Sequence, residues 1–136
     1  MQRKIQTVVR ILLGALFLFG GMAFFFTTPP ALTGNMATDF AGLAASKYFF
    51  YLLKGTEFFC GAGLVLGFFV RLALVILAPV GLNILLVHLF LEPSGLPLGI
   101  TLTVAILYLA FFSPGYSPTI KKLFVLKPRV GVTYEV

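Results

Sequence analysis

The sequence predicts an all-α membrane protein: a four-transmembrane-helix bundle with a short amphipathic interfacial helix between helices one and two. Three observations predict it. Hydrophobic residues make up 60% of the 136, charged residues only 10%, and mean hydropathy is +1.06, far from a soluble profile. The apolar residues gather into four long runs, each close to the roughly 20 residues a helix needs to cross hydrocarbon. Most basic residues fall on alternate junctions between those runs.

That last pattern sets the expected orientation. Arg3, Lys4 and Arg10 flank the first run, Arg71 lies between the second and third, and Lys121, Lys122, Lys127 and Arg129 follow the fourth. Lys47 and Lys54 lie at or just inside the opposite face. Positive charge concentrates on cytoplasmic loops, so both termini and the middle turn are expected in the cytoplasm, across a bacterial-type plasma (inner) membrane. The net charge of +6 does not point to nucleic acid, which needs its basic residues on one soluble face. Cys60 is the single cysteine, which excludes an intrachain disulfide and a thiolate metal cluster.

Helix one is expected over residues 8–26, roughly 29 Å long. Its basic start resembles a signal peptide, but no small-residue cleavage site follows closely, so it reads as a retained helix. Pro29 and Pro30 stop it. Within residues 31–47, Met36, Phe40 and Leu43 share one helical face and Asn35 is placed to cap the start. This segment is expected to lie in the outer interface, as a lid over the bundle or as a connector resting on lipid.

Helix two, residues 48–69, and helix three, residues 72–91, are joined by only Val70 and Arg71, which demands an antiparallel hairpin. Pro79 is expected to kink helix three. Helix four spans 96–112 and ends at Ser113-Pro114-Gly115. Residues 1–125 thus form the membrane domain and 126–136 a cytoplasmic tail. Without tryptophan, Tyr48, Tyr51, Tyr108 and Tyr116 are left as interfacial anchors. Gly63 and Gly67 form a GxxxG, suited to packing within the bundle or to a dimer seam.

The informative residues are polar ones inside apolar spans, where an unpaired charge costs about 3 kcal/mol on insertion scales. Lys54 and Glu57 stand one turn apart and can pair; alternatively Lys54 snorkels outward. Counting from Tyr48, Glu57 lies roughly 14 Å deep, while His88 and Asn83 lie roughly 5 and 12 Å below Leu91 on the adjacent helix. All four occupy the outer half. Asn83 and His88 differ by a rotation of about 140°, so one is expected to face Glu57 and the other helix one or four.

Each residue has a plainer alternative. Glu57 is a binding or proton-relay acid, or a protonated structural donor; His88 is a relay partner, or an imidazole wetted at the interface. Cys60 lies on nearly the same face as Glu57, as a packing residue or a redox thiol. The residues supply no metal-ligand set, no phosphate loop and no Ser-His-Asp arrangement.

In order and spacing the chain resembles the DoxX family of small four-helix membrane proteins. The resemblance rests on Arg10, Leu13-Gly14 and Phe17 to Gly20 in helix one, and Asp39-Phe40-Ala41 in the outer segment. It continues with Glu57, Gly61, Leu64, Leu66-Gly67 and Arg71, then Asn83 and His88. It covers about residues 8–125. Related proteins often carry a lysine shortly after the first-helix glycines, where this chain has Met22 to Phe26. The resemblance implies a membrane subunit of respiratory or sulfur redox systems, including quinone-linked thiosulfate oxidation and oxidative-stress complexes.

The expected function is a subunit of a redox complex rather than a stand-alone enzyme. Glu57, with Lys54 and His88, would line an outer-leaflet pocket that binds a quinone headgroup or relays protons. A quinone is the one cofactor this suggests; the partners are the lipid bilayer and either a redox-complex protein or further copies of the chain. Two rivals belong to other classes. One is a small oligomeric proton-coupled transporter, with Glu57 as coupling acid and Gly63/Gly67 as the seam. The other is a scaffold that holds a partner through its tail or outer segment.

Overall fold

The computed structural model describes residues 1–28 and 31–125. Its first helix, α1 (Gln2–Phe26), begins ahead of the apolar run, because Gln2, Arg3 and Lys4 are good helix formers and Gln6 is drawn into the bundle, 8% exposed. It ends where Thr27 turns extended; the Pro29-Pro30 stop lies outside the described residues. The amphipathic segment forms α2 (Gly34–Ala45), and its N-cap is Thr33, not Asn35. Gly34 takes a left-handed φ of 62°, which lets the chain turn into the helix one residue before Asn35.

Helices two and three are α3 (Phe49–Leu66) and α4 (Val70–Phe90). Their turn is Gly67-Phe68-Phe69 rather than Val70-Arg71. Gly67 adopts φ 84° and donates its N–H to Gly63, the left-handed stop that glycine makes without a Cβ penalty. Phe69 follows at φ 51°, so Val70 and Arg71 already belong to the first turn of α4. That helix runs on through Pro79.

The fourth crossing is composite: a 3-10 turn (Pro93–Gly95), α5 (Leu96–Leu107) and a π-helical turn (Tyr108–Phe112). Short α6 (Ser117–Lys122) follows. The remaining tail, with Lys127, Arg129 and residues 130–136, lies outside the described residues.

Among the described residues, four stretches are long and apolar enough to cross a bilayer: Gln2–Phe26, Phe49–Leu66, Val70–Phe90 and Pro93–Phe112. Many of their large apolar side chains point outward; Phe19, Phe59 and Phe90 are each more than 70% exposed. Only lipid makes such a surface stable, and the fold is a multi-pass membrane bundle.

α1 packs along α3, and α4 along α5. Three glycines set the first contact. A Cβ on Gly14 would fall 2.8 Å from Leu64 Cβ, one on Gly21 2.7 Å from the Phe58 amide nitrogen, and one on Gly61 into the backbone of Leu18. The backbones therefore touch, as small residues permit between membrane helices. Within the chain this seam falls to Gly14, Gly21 and Gly61, whereas Gly67 of the GxxxG is a helix stop. In the core beside this seam, Leu13, Leu64, Leu74, Leu77 and Leu109 are 1% exposed or less.

One end of the bundle gathers the basic residues. There the Gly115 N–H donates to Gln6 Oε1 at 3.1 Å, and Arg71 Nη2 donates to the Gly115 carbonyl at 3.3 Å. These bonds bring the start of α1, the start of α4 and the end of the fourth crossing to one level. The Arg10 guanidinium lies where a Gly67 side chain would be. Tyr108 and Tyr116 pack against the core, while Tyr48 and Tyr51 at the far end are more than 60% exposed.

Candidate functional site

The far half of the bundle is hollow. α1 and α3 are held together by backbone contact, but above Phe17 the space between α1, α3, α4 and α5 opens into a cavity of about 470 Å³. Phe17 and Gly20 line it from α1, Lys54 and Glu57 from α3, and Asn83 and His88 from α4. Leu98 and Leu102 close the α5 side, and Met36 and Phe40 of α2 cover the top.

Glu57 is the most buried charged residue among the described residues, 3% exposed. Its Oε2 accepts from Lys54 Nζ at 2.8 Å, so Lys54 turns to its neighbour instead of snorkelling away. Across the gap, a Cβ added at Gly20 would stand 3.6 Å from the same oxygen. Alanine would fit there; anything larger would crowd the carboxylate.

His88 is fixed by the start of the fourth crossing. Its Nδ1 lies 3.2 Å from the Glu92 carbonyl. Its ring occupies the space a Gly95 side chain would need, and a Cβ on Gly99 would approach its Cδ2 at 3.6 Å. A carbonyl only accepts, so Nδ1 carries the hydrogen, and in the tautomer this bond selects Nε2 is the acceptor. Asn83, about a turn and a half deeper, is exposed on the cavity's edge, and its side chain has no hydrogen bond among the described residues.

One of Asn83 and His88 was expected to face Glu57 and the other helix one or four; His88 is the one turned to the fourth crossing. The large rotation between them is real, and His88 does pack on the fourth crossing. A cavity bounded by four helices nevertheless spans that angle, so both residues reach it. Cys60, one turn below Glu57, lies in the hydrophobic core, 8% exposed, and does not line the cavity.

The DoxX family profile matches residues 5–89, well over half of the chain. The chain belongs to the DoxX family. No curated protein and no solved structure gives a significant match. The DoxX match takes in Lys54, Glu57, Asn83 and His88 and stops one residue after the histidine. The cavity's α5 wall therefore comes from sequence beyond the match.

In this DoxX protein an aromatic stack holds α2 in place. Phe40 stacks on Phe50 with centroids 5.4 Å apart, and Phe50 on Phe24 at 5.9 Å. The amphipathic segment is thus part of the cavity wall. Sequence reasoning missed Gly95 and Gly99, whose lack of side chains admits the imidazole; a lone glycine in a membrane helix gives no signal of what it faces. It also missed Gln6, a polar residue ahead of the apolar run whose partner is over a hundred residues away.

The arrangement offers complementary chemistry. The Lys54 ammonium and Asn83 amide can donate to a carbonyl oxygen, while the Glu57 carboxylate and His88 Nε2 can accept from a hydroxyl. Both kinds of group stand in an apolar chamber, where such bonds are stronger than in water.

Proposed function

We propose that the protein is the membrane subunit of a redox complex, and that its cavity binds a quinone headgroup and exchanges protons with it. It would sit in a bacterial-type inner membrane, with both termini in the cytoplasm and the cavity in the outer leaflet. The observation that carries this is the buried Glu57, paired with Lys54 at 2.8 Å, in one cavity with Asn83 and His88. An oxidised ring presents carbonyl oxygens to the donors; a reduced ring presents hydroxyls to the acceptors. The cavity's size falls within the about 300–1,000 Å³ usual for small-molecule sites.

A binding chamber fits better than a transport path. Toward the basic end the bundle has a packed core that includes Leu13, Leu64, Leu74 and Leu77, all nearly inaccessible, and a proton path would need polar groups there.

The test is Glu57→Gln, which keeps the side chain's shape and removes its charge. Quinone affinity measured in nanodiscs should fall about tenfold or more, roughly 1.4 kcal/mol. Unchanged affinity in a folded protein would falsify the assignment. The orientation is tested separately, by tags on each terminus probed from outside the cell; both should be protected.

A further inference from the structure

A larger hollow adjoins the cavity. Between α2 and α3 runs a groove of about 840 Å³, lined by Phe24, Leu32, Leu43 and Ala44, with Lys47 at its end. Met36, Phe40, Phe50 and Lys54 line both spaces. The two therefore share one wall, and among the described residues the one polar side chain that lines both is Lys54.

The two spaces differ in chemistry. The cavity converges four polar side chains. The groove is aliphatic and aromatic along its length, apart from Lys47, Lys54 and Tyr51. Its roof, α2, has no fully buried residue, and Phe40 of that roof stacks on Phe50 of α3.

We infer that the groove is the lateral entrance and tail site of the same ligand: an amphiphile with a hydrogen-bonding head in the cavity and a linear apolar tail under α2. This rests on the cavity being a ligand site, and adds that its ligand is tailed and lipid-borne. The shared wall argues for one occupant over two. An ordinary acyl chain could fill the groove, but it would bring its charged headgroup to Lys47 and leave Lys54 and the cavity unengaged.

Because lipid tails are as apolar as the groove, the tail gains no hydrophobic energy on entering; it gains packing contacts. Affinities must therefore be compared as mole fraction in the bilayer. The probes are decylubiquinone and the same benzoquinone ring without its tail, titrated into nanodiscs holding the full chain. The wild type should bind the tailed ring about tenfold more tightly. Ala44→Phe, which fills the groove from an exposed helix position, should remove most of that difference and leave the bare ring's affinity unchanged. Ala41→Phe, on the same roof, repeats the test should the first variant misfold. Equal binding of both probes to the wild type, or an equal loss for both in the variants, overturns the tail site while the cavity assignment stands; a lipid in the groove would give the first result. If neither probe binds, both assignments fall.

Discussion

Lys54 and Glu57 share one hydrogen bond but not one environment: the lysine side chain is 25% exposed and the glutamate side chain 4%. Removing the lysine strands a buried acid, whereas removing both leaves an apolar-compatible wall. Lys54→Met should destabilise the bundle by about 3 kcal/mol, and Lys54→Met with Glu57→Gln should recover most of that loss. Unfolding titrations in mixed micelles measure both. Additive losses would show that the two residues are uncoupled.

The helix seam predicts opposite outcomes for two glycines of α3. A Cβ on Gly61 enters the backbone of α1, while one on Gly55 meets nothing within 4 Å. Gly55→Ala should therefore stabilise by about 0.5–1 kcal/mol through helix propensity alone. Gly61→Ala should destabilise by about 1–3 kcal/mol through overpacking. The same unfolding titrations compare them.

Gly95→Ala should displace the His88 imidazole, since ring and methyl cannot share the space. The Nδ1 bond to Glu92 breaks with that move. Nitrogen NMR of the single histidine should report a changed tautomer mixture, with quinone affinity reduced about tenfold.

Cys60 should react slowly. Its burial in the core predicts that a membrane-permeant maleimide labels the folded protein far more slowly than the denatured one. Rapid labelling in the bilayer would restore a redox thiol as a serious reading.

Much of the fold was legible because period and hydropathy report on the solvent directly. The four crossings, the α2 face carrying Met36, Phe40 and Leu43, and the Lys54–Glu57 spacing all follow from local rules. What was not legible depends on facing surfaces. Gly63 and Gly67 have the spacing of a packing motif, yet the seam went to Gly14, Gly21 and Gly61, because the turn needed Gly67 as its left-handed stop. Nothing local distinguishes these roles. Likewise, the angle between Asn83 and His88 was correctly read on one helix, but the width of the space they face is set by three others.

Gln6 and Gly115 are joined across almost the whole chain, and that separation orders events during synthesis. Once Leu66 has left the ribosome, α1 and α3 already hold every glycine their contact requires. The hook between Gln6 and Gly115 must wait for the final crossing. The contact between α1 and α3 thus depends only on the first half of the sequence, whereas the latch at the basic end depends on residues from both ends of the described chain.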